Sequence, residues 1–205
     1  MGGDHGGSGP SGFDAMILAG GRGMRLGGRD KAALTVAGQP LLGRALDAVT
    51  GAGRVVVVGP VAVPDGVAQV FEDPPDGGPV AGIAAGLNSL RTGREPAPWT
   101  CVLAVDQPDA ARALAPLLAA RSGAGDDVHA VCHRDASGHP QWLLAVYRTQ
   151  NLLAALAPFG TGHGTPMRAL VAELSFRYVQ EGVEHVGDVD TWADHAHWER
   201  RLDGT

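Results

Sequence analysis

The chain has little cysteine and no long apolar run. Its 205 residues contain two cysteines, Cys101 and Cys132, both inside apolar segments, and their spacing fits neither a disulfide framework nor a metal site. We therefore expect both thiols to be reduced core residues of a cytoplasmic protein. No apolar segment approaches the roughly 18 residues that a membrane-spanning helix needs, so we expect no membrane partner.

An excess of positive charge is also missing. The formal net charge is −6, which excludes a basic field that would attract nucleic acid, so any phosphate binding must be local. With 205 residues, 44% of them apolar, the chain suits one globular domain. Residues 1–12 are rich in glycine and serine and lack the apolar core of a signal peptide. We expect a disordered tail over 1–12 and a single domain over 13–205.

Continuous apolar runs alternate with segments of helical periodicity. Such runs are typical of strands covered on both faces, so the pattern predicts an α/β fold with three layers, Rossmann-like, around a mainly parallel sheet. The predicted strands cover residues 15–18, 54–58, 67–71, 100–105, 128–133, 141–147 and 176–179. The predicted helices cover residues 40–51, 82–90, 109–121, 149–157, 165–174 and 191–202.

The first apolar run leads into a segment rich in glycine and positive charge. Between positions 20 and 31 lie five glycines and four cations, Arg22, Arg25, Arg29 and Lys31. Glycines let backbone N–H groups approach an anion, and cations neutralise it, so the segment predicts a phosphate site. Its spacing matches neither the dinucleotide fingerprint G-x-G-x-x-G nor the Walker loop G-x-x-x-x-G-K-[ST].

The segment Leu18-Ala19-Gly20-Gly21, followed by Gly28-Arg29-Asp30-Lys31, resembles the sugar-nucleotide type of nucleotidyltransferase, and among these the molybdenum cofactor guanylyltransferases. The resemblance extends over roughly residues 14–200. It implies a nucleotidyltransferase fold that uses Mg²⁺ to transfer GMP from GTP to molybdenum-loaded molybdopterin, giving the guanine dinucleotide cofactor and pyrophosphate. GTP and molybdopterin are then the expected partners, together with proteins that deliver the cofactor to molybdoenzymes.

The resemblance also assigns roles within the first loop. Leu18, Ala19, Gly20, Gly21 and Lys31 are expected to contact the nucleotide. As catalytic residues, Arg25 and Lys31 would bind the triphosphate and stabilise charge on the leaving pyrophosphate. For Arg22 and Arg29, a contact and an exposed position in solvent are both open.

Two acidic segments resemble the metal motifs of the same family. Asp106 ends a predicted strand and precedes Gln107-Pro108, like the family's D-x-P motif, which implies a catalytic Mg²⁺ ligand that also contacts the nucleotide. In the segment 186–191, one of the two aspartates could complete the metal site or face the acceptor; we assign Asp190 to the metal and Asp188 to the acceptor, and the reverse assignment stays open. Asp190-Thr191 is equally suited to cap the last helix, and many relatives carry asparagine in this segment.

Two further segments carry weaker resemblances. The segment 72–83 is similar to a nucleotide-binding stretch in which Asp73, Gly78 and Gly82 would contact the nucleotide, although an acidic, proline-rich surface turn is the alternative. His139 resembles a histidine beside the acceptor pocket, and a structural role in a turn is the alternative. Where relatives often place asparagine, this chain has Val58-Gly59, so we expect either backbone contacts there or a looser choice of base.

Two other functions remain open. A relative that uses CTP would make the cytosine form of the same cofactor or act on another small phosphate acceptor, but Gly20-Gly21 and the segment 78–82 favour guanine. A non-catalytic carrier or chaperone of the cofactor would not need Lys31 and Asp106 to stabilise pyrophosphate.

Overall fold

The computed structural model describes residues 12–20 and 30–204. The strands are β1 (Phe13–Leu18), β2 (Thr35–Val36), β3 (Gln39–Pro40), β4 (Val55–Val58), β5 (Ala68–Val70), β6 (Trp99–Ala104), β7 (Ala130–Arg134), β8 (Pro140–Arg148) and β9 (Phe176–Val179). The α-helices are α1 (Leu41–Ala48), α2 (Pro79–Leu90), α3 (Ala110–Arg121), α4 (Thr149–Leu156), α5 (Met167–Leu170) and α6 (Trp192–Asp203). Two single-turn 3₁₀ helices cover Ala157–Phe159 and Val183–His185.

Seven strands form one sheet in the order β5-β4-β1-β6-β8-β7-β9. β5, β4, β1 and β6 pair in parallel, and β7 pairs in parallel with β9. β8 is antiparallel to both of its neighbours, β6 and β7, because it forms a hairpin with β7 through the turn at 135–139. The predicted mainly parallel α/β sheet is confirmed.

Each face of the sheet is covered by helices. Within β1, Ala15 and Ile17 face a core cluster that contains residues of α1 and α3, such as Ala45 and Leu114. Met16 and Leu18 face the opposite cluster, which contains residues of α2, α4 and α5. Because successive strand residues point to opposite faces, an uninterrupted apolar run supplies both clusters, and this gives the three layers.

The structure differs from the sequence predictions in two helices and a hairpin. α2 begins at Pro79 rather than 82, since proline suits the first turn of a helix, where no N–H partner is lost. The helix predicted over 165–174 is only one turn, Met167–Leu170. The β2–β3 hairpin was not predicted because its turn residues, Ala37 and Gly38 (both with positive φ), lack the usual Asn-Gly signal.

Among the helices formed by the described residues, none combines the length and apolar character needed to cross a membrane. Residues 1–11 lie outside the described residues, so the tail stays a prediction.

Candidate functional site

A cavity of about 1140 Å³ opens at the edge of the sheet where β1, β4, β5 and β6 end. Ligands in open α/β sheets bind beyond the carboxyl ends of the strands, and this cavity has that position. Its lining includes the residues that directly follow those four strands: Ala19 and Gly20, Gly59 and Pro60, Phe71 and Glu72, and Val105 and Asp106. Gly78, Pro79 and Gly82, at the start of α2, complete one wall.

One wall of the cavity depends on close contact between two backbone segments. Gly59 has φ +133°, and a Cβ atom there would lie 2.7 Å from the carbonyl carbon of Ala19 and from the amide nitrogen of Gly20. A side chain at position 59 would therefore displace the segment after β1. At Val58-Gly59 this close approach leaves room for backbone beside the cavity and none for a side chain such as asparagine at position 59.

Three carboxylates meet beside the cavity, and two of them, Asp106 and Asp190, line it. Oxygen atoms of Asp106, Asp188 and Asp190 all lie within 4.8 Å of one another. Asp106 follows β6, whereas Asp188 and Asp190 precede α6. Val189, between the two aspartates, is fully buried in a small cluster with Val36, Leu41 and Trp198.

Lys31 contacts two of these carboxylates. Its Nζ atom lies 3.0 Å from Oδ2 of Asp106 and 2.5 Å from Oδ1 of Asp190. Burial acts to lower the pKa of Lys31, but the hydrogen bond with Asp190 and the charge of Asp106 outweigh it, so the pKa lies above its ordinary value. Lys31 is therefore a fixed cation and is not suited to act as a general base.

The pKa of Asp188 is shifted in the same direction by different causes. Although Asp188 is exposed as a residue, partial desolvation of its carboxyl group raises the pKa, and the charges of Asp106 and Asp190 raise it further. A carboxylate whose ionised form is disfavoured by neighbouring carboxylates gains from a bound cation, because the cation cancels the repulsion.

The donor set suits a hard divalent cation. Mg²⁺ binds through one or two carboxylates together with substrate phosphates, and here three carboxylates converge beside an open cavity. Asp106 and Asp190, the residues that the sequence assigned to metal, are both in the cluster, and so is Asp188, which was assigned to the acceptor.

The cap of α6 and the carboxylate cluster use different residues. Thr191 is the N-cap: its side chain accepts a hydrogen bond from the backbone of Asp194, and the carboxylate of Asp194 accepts one in return at 2.7 Å. Asp190 directs its side chain to Lys31 instead. Asp190 therefore belongs to the carboxylate cluster, and Thr191 caps the helix, so both roles considered for this pair are present in neighbouring residues.

Other predicted residues lie elsewhere. Asp73 borders a second, smaller depression together with Ala81 and Thr161, and it is not among the residues that line the main cavity. His139 lies in the exposed turn between β7 and β8, with Nδ1 2.6 Å from the Ser137 hydroxyl, and does not line the cavity either. Gly21, Arg22, Arg25 and Arg29 lie outside the described residues, so their roles stay predictions.

Sequence reasoning assigned no role to Glu72, which lines the cavity where Asp73 was expected. Its Oε2 atom accepts a hydrogen bond of 2.7 Å from the backbone N–H of Gly77. The only signal was a second acidic residue next to Asp73, and the side-chain direction just after a strand is set by the turn that follows.

Curated relatives match part of the chain. A molybdenum cofactor guanylyltransferase of Rhodopseudomonas palustris (strain HaA2) is 36% identical over 100 residues, which cover 46% of this chain and 47% of the relative. One from Acidiphilium cryptum (strain JF-5) is 39% identical over 120 residues, covering 54% of this chain and 60% of the relative. The chain thus spans about half the length of the curated relatives it matches.

Solved structures share the fold. The crystal structure of molybdopterin-guanine dinucleotide biosynthesis protein A from Archaeoglobus fulgidus superposes with a TM-score of 0.67 at 17% identity, covering 94% of this chain and 100% of the other. The 2-C-methyl-D-erythritol 4-phosphate cytidylyltransferase of Thermus thermophilus gives a TM-score of 0.64 at 20% identity, covering 94% of this chain and 99% of the other. At these identities the likeness concerns the fold.

The family comparison covers most of the chain. The sequence model described as the MobA-like NTP transferase domain matches residues 15–177, from β1 through the first residues of β9. This range includes the segment after β1, Lys31, Glu72 and Asp106. The chain belongs to the MobA-like NTP transferase family.

Proposed function

We propose that this protein is a Mg²⁺-dependent guanylyltransferase that joins GMP, from GTP, to the terminal phosphate of molybdenum-loaded molybdopterin. The observation that carries the proposal is the contact of Lys31 with Asp106 and Asp190 at one end of a glycine-lined cavity. Curated relatives named molybdenum cofactor guanylyltransferase support the choice of nucleotide and acceptor.

The reaction requires an in-line displacement at phosphorus. A terminal phosphate oxygen of the acceptor forms a bond to the α-phosphorus of GTP, and the bond from that phosphorus to the bridging oxygen breaks. Pyrophosphate leaves with the electron pair. The protein contributes positioning and stabilisation of charge, because the chemistry needs little covalent help.

The described residues divide these tasks. The backbone at Ala19-Gly20 and Gly59 forms a surface against which a nucleotide can lie, without side chains that hold it away. Asp106, Asp188 and Asp190 would hold Mg²⁺, which when bound neutralises charge on the phosphate oxygens. Lys31 provides a cation beside the same phosphates. The predicted role of Arg25 as a second cation remains part of the proposal.

The proposal includes an acceptor site beside the carboxylates and a cytoplasmic location. Asp188, beside Asp106 and Asp190, is the residue that we assign to the acceptor side, and Leu143 of β8 lines the cavity. A cytoplasmic location agrees with two cysteines that remain free thiols in the core.

Pyrophosphate release tests the proposal directly. Protein mixed with GTP, Mg²⁺ and molybdenum-loaded molybdopterin should release pyrophosphate, and the Asp106→Asn variant should release it at least about a hundredfold more slowly while keeping its melting temperature within a few degrees. No release by the unaltered protein would favour a carrier. Release with CTP in place of GTP would favour the cytosine cofactor.

A further inference from the structure

The two carboxylate oxygens of Glu72, which lines the cavity, have different surroundings. Its Oε2 atom accepts the Gly77 N–H, which holds the carboxylate in place at the end of β5. Its Oε1 atom lies beside two glycines: a Cβ at Gly20 would be 3.5 Å from it, and a Cβ at Gly82 would be 3.4 Å from it. Among the residues that the structure describes, none donates a hydrogen bond to Oε1.

Such a half-buried carboxylate is well suited to accept hydrogen bonds from N–H groups of a ligand. Removing a carboxylate partly from water without replacing its hydrogen bonds is costly, and each oxygen can accept two bonds. As far as the described residues go, Oε1 keeps its full acceptor capacity, and Oε2 can take one bond more. A ligand with two N–H groups side by side would fit both oxygens.

The sheet separates Glu72 from the carboxylate cluster. Glu72 follows β5 and Asp106 follows β6, and β4 and β1 lie between these strands. Three strand spacings amount to about 14 Å. If phosphates lie beside Lys31 and Asp106, Glu72 is at the opposite end of the cavity, where the base of a nucleotide would be.

We propose that Glu72 determines the choice of base, through hydrogen bonds from N1–H and the N2 amino group of guanine to its carboxylate. This inference rests on the proposed function. On the corresponding edge cytosine and adenine each offer one amino group and no adjacent ring N–H, so they cannot engage both oxygens in this way. Gly20 and Gly82 leave the space beside Oε1 open to a ligand, because a Cβ at either position would lie within 3.5 Å of that oxygen.

Binding measurements with inosine triphosphate isolate this contact. Inosine keeps N1–H but lacks the N2 amino group. By titration calorimetry in Mg²⁺, the unaltered protein should bind GTP about tenfold or more tightly than the inosine nucleotide, the effect expected of one hydrogen bond to a charged group. In Glu72→Gln, whose amide oxygen can still accept the Gly77 N–H, this ratio should fall to about one. The exposed Glu173→Gln variant is the matched control and should keep the ratio.

The outcomes separate the two proposals. A GTP-to-inosine ratio that stays unchanged in Glu72→Gln overturns the role of Glu72 alone. So does an equal loss of affinity for both nucleotides, because that result assigns Glu72 only to the turn at Gly77. Tighter binding of CTP than of GTP by the unaltered protein overturns both proposals.

Discussion

The backbone N–H of Val189 donates a hydrogen bond of 3.0 Å to the carbonyl oxygen of Asp106. Val189 is also fully buried in the cluster with Val36, Leu41 and Trp198, so this hydrogen bond ties the segment before α6 to the end of β6, and apolar contacts tie it to β2, α1 and α6. The two residues that flank Val189, Asp188 and Asp190, are two of the three aspartates of the cluster. One hydrogen bond thus helps to bring three carboxylates together.

Replacement of Lys31 by Met should make the fold more dependent on a divalent cation. Lys31 places a positive charge among three carboxylates, and without it their repulsion is less compensated. We expect Lys31→Met to melt about 2–6 °C below the unaltered protein in EDTA, and the difference to narrow in millimolar Mg²⁺. Differential scanning fluorimetry measures both values. The exposed Arg91→Met is the control for loss of charge, and an equal Mg²⁺ response in Lys31→Met and the unaltered protein would contradict the prediction.

Two glycine substitutions should separate close packing from backbone strain. Gly59 and Gly66 both have positive φ, but a Cβ at position 66 would meet nothing within 4 Å. We expect Gly66→Ala to cost about 1 kcal/mol of stability through strain alone, and Gly59→Ala to cost about 1–3 kcal/mol more through the clash with Ala19 and Gly20. Urea unfolding measures these values. GTP affinity should fall only in Gly59→Ala, and equal effects of the two changes would contradict the contact.

The two cysteines should be inert to thiol reagents in the native state. Both are fully buried, and burial raises the pKa of Cys101 and of Cys132 to about 12. Since the thiolate is the reactive form, we expect no reaction with Ellman's reagent at pH 8 until the chain unfolds. Two thiols should then react in guanidinium chloride. Rapid modification of the native protein would argue against their burial.

The cap of α6 should make stability depend on pH in the acidic range. The Thr191 side-chain hydrogen bond is the largest influence on Asp194, and together with backbone N–H groups it lowers the pKa of that carboxyl. Because the pKa is lower in the folded state, the ionised carboxylate stabilises the fold at pH values above the unfolded pKa of about 3.9. This stabilisation is lost as the pH falls through the native pKa. The melting temperature should therefore exceed that of Asp194→Asn by a constant amount from pH 7 to about 5, and the gap should close below about pH 4. A gap that widens on acidification would contradict this sign.

Local patterns were sufficient for most elements of the fold. The run at Val55–Val58 has no polar residue to place in solvent, so a strand buried on both faces was the natural prediction, and it is confirmed. Phe176–Val179 was predicted with the bounds it has. The position of Asp106 at the tip of a strand was also predictable, because the apolar run before it ends at that point.

The site depends on contacts between segments far apart in the chain. Lys31 and Asp190 are 159 positions apart in the chain, so no local sequence pattern predicts that their side chains are in contact. The reversed strand β8, placed between β6 and β7, follows from a hairpin whose place in the sheet is chosen by packing on both faces. Glu72, rather than its neighbour Asp73, lines the main cavity because the turn to Gly77 holds its carboxylate there. Hydrophobic periodicity indicates which face of a segment is exposed to solvent. Which distant side chains come into contact is determined by how the layers pack.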